Sequence, residues 1–208
     1  MADDLDSLLS TPPDEGEDAS WLVSFGDLMS LLLVFFILMV SPQAVVSKDQ
    51  QEKMDNLEEV VDSLKEEVSK SGIESEVDIQ MNGNTAKLTL KDTLLFPSGK
   101  AVFNDEHLKT LKKILDPLKQ IKSSHSFKIQ GHTDSLPIHS SKYPSNWYLS
   151  SARALAILDG FINAGFPEKN LEAQGFAHFQ PLVPEYTSKG DPIPKNRAKN
   201  RRVEILIR

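Results

Sequence analysis

Apolar positions along the chain fall into three regimes. From Trp21 to Val40 they are almost continuous, 20 residues interrupted by one charge, Asp27. As a helix at 1.5 Å per residue this run covers roughly 30 Å, the thickness of a bilayer's hydrocarbon core. From Met54 to Val68 they are sparse and spaced: Met54, Leu57, Val61, Leu64 and Val68 recur every three or four residues, with Val60 beside them. That is a heptad stripe on an otherwise charged helix. Pairing with a second copy would bury the stripe; folding back on the chain's own domain is the other solution.

From Val77 the period changes. "EVDIQMNGNTAKLTLKD" alternates around Asn82-Gly83, which predicts a hairpin. "DEHLKTLKKILDPLKQI" places Leu108, Leu111, Leu115 and Leu118 on one helical face, with Asn104 or Asp105 as N-cap. "SFKIQGHTD" reads as a strand running into a polar loop. "SNWYLSSARALAILDGFINAG" reads as a second helix with Leu155, Leu158 and Ile162 toward the core. "NLEAQGF" and "RRVEILI" read as strands, the last alternating Val203, Ile205 and Ile207. Strands interleaved with helices predict an α/β (α+β) sandwich over 75–208. Before it come an acidic, disordered tail (1–19) with Pro12, Pro13 and Gly16, a transmembrane helix (20–41) and a helical, coiled-coil-like linker (42–74).

A cleaved signal peptide is the rival for the apolar run. It calls for basic residues at its start, and none precedes Lys48. Orientation is less plain: with Lys48 as the first basic residue, the positive-inside rule taken literally sends the C-terminal part to the cytoplasm.

Net charge is −7 over 208 residues, unevenly placed: residues 1–71 carry −12 and residues 72–208 carry +5. The mildly basic C-terminal part suits an anionic partner or is simply a solvated surface. The absence of cysteine excludes disulfides and thiolate metal sites.

Asp27 needs a reason to sit in an apolar helix, where a central carboxylate costs about 2.5–3.5 kcal/mol. It lies about 9 Å inside the helix's N-terminal end. Ser24, Asp27 and Ser30 are spaced by three and share a face, making a narrow polar seam, and Gly26 allows close approach of a neighbouring helix. Intramembrane carboxylates mark ion or proton pathways. One aspartate does this by binding a cation, becoming neutral and repacking its helix. The plain alternative is a tolerated interfacial charge.

In the C-terminal part, Asp134 ends a strand, while Asn146, Leu149 and Arg153 share one helix face. An acid and a guanidinium on two walls suit a zwitterionic ligand, with ammonium on the carboxylate and carboxylate on the fork. The alternative is a structural ion pair. His132 and His139 raise the question of a metalloenzyme, yet no HExxH or matched ligand set appears, nor a serine elbow. The residues favour a binding module, with no catalytic or resident metal site and no cofactor, over an enzyme.

The pieces "LLFPSGKAVF", "IQGHTDSLP", "NWYLSSARA" and "NRAKNRRVEILI" resemble the OmpA-like peptidoglycan-binding domain, and "WLVSFGDLMSLLLVFFILMVSP" resembles the membrane helix of the MotB/PomB family, the B subunits of flagellar stators. The resemblance implies that Asp27 is the ion-carrying residue, supported by Ser24 and Ser30. It implies a multi-pass A subunit as partner, a dimer of B chains within the A ring, and torque passed to the rotor through A; nucleic acid has no place in it. It implies an inner-membrane chain with a cytoplasmic N-terminus and a periplasmic domain gripping peptidoglycan. Asp134 and Arg153 would contact the diaminopimelate of the peptide stem, with Thr133, Asn146, Leu149, Asn200 and Arg202 as further candidates. Sodium is favoured over protons, by likeness to the sodium-type helices and by the serine hydroxyls, which suit a hard cation. In the family a segment after the membrane helix acts as a plug; here 43–53 is short and polar. Two other readings share this architecture: an ion-driven motor for gliding or phage defence, and a passive wall anchor.

Overall fold

The computed structural model describes residues 20–44 and 48–208; the acidic tail expected over 1–19 lies outside them. The chain divides into two units between Asp49 and Gln50. In the first, helix α1 (Ser20–Ala44) carries Trp21–Met39, long and apolar enough to cross a membrane and exposed along its length. Ser24, Asp27 and Ser30 follow one another at single-turn spacing on it, and Ser30 Oγ donates to Gly26 O at 2.7 Å.

In the second unit, which holds all but the first two residues of helix α2 (Lys48–Lys70), that helix precedes a hairpin of β1 (Val77–Asn82) and β2 (Thr85–Lys91). Asn82 pairs with Thr85, so Gly83 and Asn84 form the turn, one residue beyond the expected centre. A short helix α3 (Asp92–Leu95) and helix α4 (Asp105–Leu118) follow, then β3 (Phe127–His132), α5 (Asn146–Asn163), β4 (Leu171–Gly175), α6 (Pro194–Asn200) and β5 (Arg202–Ile207). The sheet runs β1-β2-β5-β3-β4, antiparallel except for the β3–β4 pair. The last strand of the chain is thus the central one. Val203, Ile205 and Ile207 are fully buried, as the alternation predicts. Asn104 caps α4, its side chain accepting from His107 N at 2.7 Å.

Two expectations are corrected. The α2 stripe does not await a coiled-coil partner: Leu57, Val60, Val61, Leu64 and Val68 are buried in the same core as Leu88, Leu111, Ile129 and Ile205. A five-residue apolar stripe is satisfied by whichever apolar surface is nearest, and the domain's own is attached to it. On α5 the core face is Leu149, Arg153, Ala154, Ile157 and Phe161, while Leu155 is 53% exposed and Leu158 and Ile162 are only partly buried. Apolar residues surround this helix, so periodicity alone does not choose a face.

Candidate ligand site

The face of α5 is chosen by two glycines in the sheet. A Cβ on Gly131 would lie 2.1 Å from Ser150 O, and one on Gly175 would lie 2.2 Å from Ser151 Oγ. Without those atoms α5 lies directly against β3 and β4. Arg153, one turn on from Ser150, is thereby lowered into the domain until 1% of it is exposed.

Sheet register supplies its partner. Leu88 faces Ile205 and Leu90 faces Val203 across β2 and β5. Carried one step further, the register sets Asp92 against Arg201, and Asp92 N donates to Arg201 O at 3.1 Å. Asp92 Oδ2 lies 3.2 Å from Arg153 Nη2 and 3.5 Å from Arg201 Nε. Arg201 Nη1 in turn holds Asp134 Oδ2 at 2.8 Å. Arg153 Nε donates to Lys100 O at 3.0 Å. Asp92, Arg153, Arg201 and Asp134 thus form a chain of alternating charge with no net excess.

These four line a cavity of about 330 Å³, together with Gly99, Thr133, Leu136, Pro137, Ile138, Asn146 and Leu149. Burial raises the Asp92 carboxyl above the ordinary range, against the pull of the Arg153 and Arg201 charges. Burial also lowers Arg153 from its usual value, with Asp92 opposing. On Arg201 burial is outweighed by the Asp134 hydrogen bond and the charges of Asp92, Asp134 and Glu185, so its proton is held more tightly. Among the described residues, Arg153 Nη1 and Asp92 Oδ1 lack a protein partner. A spare donor and a spare acceptor thus lie buried in the residues that line the cavity, whose outermost charge is the one-third-exposed side chain of Arg201.

Sequence-predicted residues divide into two groups. Thr133, Asp134, Asn146, Leu149 and Arg153 all line the cavity. Asn146 Nδ2 donates to Asp134 O and Leu136 O at 3.1 and 2.9 Å, shaping the loop that carries the acid. Asn200 and Arg202 do not line it. Asn200 spends its amide on Leu182, Val183 and Glu185. Arg202 is buried against Glu204 at 2.7 Å. His132 is buried and stacked on Phe176, while His139 is exposed. Asp92 and Arg201 were missed. Two-residue strand periodicity sets Arg201 on the face of Val203 and Arg202 on the opposite face with Glu204, so the sequence carries a signal for choosing between the two arginines.

Comparison with known families and structures is consistent with both units. The family described as "Membrane MotB of proton-channel complex MotA/MotB" matches residues 10–61, and the OmpA family matches residues 95–197. Motility protein B of Bacillus subtilis is 28% identical over 93% of this chain and 92% of its own length. A structure of a MotB-like protein from Desulfovibrio vulgaris shares the fold, with TM-score 0.65 and 23% identity over 76% of this chain and 94% of that one. The cell wall anchor of the type VI secretion system from Pseudomonas aeruginosa superposes with TM-score 0.60 and 28% identity, covering 69% of this chain and 95% of that one.

Proposed function

We propose a function from the premise that the chain belongs to the MotB family of stator proteins, with a membrane and plug region at one end and an OmpA-like domain at the other. It is not an enzyme but the B subunit of a flagellar stator. Asp27 takes up and releases the coupling cation, and the domain holds the stator to peptidoglycan. The observation that carries this reading is Asp27 itself, the one charge on a membrane-length helix, with Ser24 and Ser30 in register beside it. Neutralising the carboxylate with a bound cation removes the cost of exposing it to hydrocarbon, so occupancy and helix packing are coupled.

The partners are a multi-pass A subunit, a second copy of this chain, and peptidoglycan; the rotor is reached through A. The N-terminus is cytoplasmic and the domain periplasmic. In the cavity, the diaminopimelate ammonium goes to Asp134 and its carboxylate to the guanidiniums, Arg201 swinging from Asp134 to the incoming ligand. Sodium is the favoured ion because the seam offers hydroxyl oxygens, whereas the matching family is that of a proton-channel complex.

The test is complementation. Cells lacking their own stator, supplied with this chain and its A subunit, should swim; immobility with both chains in the membrane contradicts the reading. Replacing sodium by potassium at fixed pH should stop them, and swimming that persists assigns the proton.

A further inference from the structure

Beside the charged cavity lies a second cleft, of about 170 Å³, whose walls include Pro137, Ile138, Asn146, Trp147, His178 and Phe179. Pro137, Ile138 and Asn146 line both, so the two spaces adjoin. The outer wall is aromatic and wet. Trp147 is 48% and Phe179 61% exposed, yet their rings are stacked at 5.2 Å and 23°, and Phe179 stacks in turn on His178 at 4.3 Å.

The platform is held in place. Trp147 is the second residue of α5. Phe179 follows a turn at Ala177, which has φ 49°, a left-handed conformation that a residue with a side chain adopts only when its surroundings require it. Ala177 N donates to Ser150 Oγ at 3.1 Å, and Ala177 O accepts from Thr133 N at 2.8 Å. The loop bearing Phe179 is therefore tied to the residue preceding Asp134. Rigid, exposed rings next to a polar cavity are an interaction surface rather than misplaced core.

Resting on the peptidoglycan reading above, we infer that Trp147, backed by the Phe179 ring stacked on it, forms a second subsite, which takes the C–H face of an N-acetylated sugar while the attached peptide enters the cavity of Asp134 and Arg201. A pyranose ring has a flat apolar face that fits an aromatic plane, and its hydroxyl edge stays in water. The two clefts adjoin, as sugar and peptide adjoin in one ligand.

The test uses the full chain in detergent, titrated calorimetrically with a disaccharide–tetrapeptide containing diaminopimelate and with the same tetrapeptide without sugars. The sugars should tighten binding about tenfold. Trp147→Ala and Phe179→Ala should abolish that advantage and leave the tetrapeptide affinity unchanged; Trp147→Phe should keep most of it. Equal affinity of the intact chain for both ligands overturns the inference alone. So does a Trp147→Ala variant that weakens both ligands alike, or one that changes oligomeric state and neither affinity, which would assign the platform to a second copy. No binding of either ligand overturns the peptidoglycan reading and this inference with it.

Discussion

Arg153 is bound to Asp92, not to Asp134: its Nη2 lies 3.2 Å from Asp92 Oδ2, while Asp134 is taken by Arg201 at 2.8 Å. The two arginines therefore have different duties. Arg153 is the buried floor of the cavity, and Arg201 is its outermost charge.

Asp92→Ala would strand the Arg153 guanidinium in the interior. A buried charge that loses its partner costs about 3–5 kcal/mol. Urea unfolding should show a loss of this size, and Asp92→Asn, which keeps an acceptor, should lose less.

Arg201→Ala should weaken sedimentation with purified peptidoglycan about tenfold and cost about 1 kcal/mol of stability or less, because the side chain is partly exposed. Its neighbour should behave in the opposite way. Arg202 is buried against Glu204, so Arg202→Ala should cost about 3 kcal/mol and change binding only where the domain is unfolded.

Stability should fall as pH is lowered from 6.5 toward 4. Burial, then the Arg202 charge, depresses His132 from 6.5 to about 4, against the pull of Glu204 and with Lys87 adding to the depression. In that window the unfolded chain binds a proton that the folded chain refuses, so the contribution, about 3 kcal/mol, is complete above 6.5 and gone below 4. Glu204 adds a smaller loss below 4.5: burial opposes it, but hydrogen bonds from Arg202 and Lys87 hold its carboxyl low. Asp92, raised by burial, works in the opposite sense, protonating more readily in the folded chain. Urea midpoints at pH 7 and 5 should differ for the native chain and differ less for His132→Gln.

Leu64 is fully buried, so Leu64→Ala should destabilise the domain by about 2–5 kcal/mol. The loss should be the same at every protein concentration, whereas a paired coil would make the unfolding midpoint depend on concentration.

Most of the architecture was legible because each element has a strong period. The membrane run is broken only by Asp27, and Val203, Ile205 and Ile207 alternate without exception. Asp134, Asn146, Leu149 and Arg153 were legible because two short motifs place them at a strand end and on one helix face. Asp92 was not, because what brings it to Arg153 is the β2–β5 register, a long-range property that local pattern does not carry. The face of α5 was hidden for a similar reason: Gly131 and Gly175 decide it, from other strands. The α2 stripe marks a face to be buried, but an apolar stripe does not name its cover.

The most direct measurement is rotation of tethered cells whose only copy of the chain carries Asp27→Asn, an exchange that keeps shape and removes the titratable charge. The account predicts that rotation stops while the variant still reaches the membrane and still sediments with peptidoglycan. Rotation at undiminished speed would contradict it and leave the chain a tether.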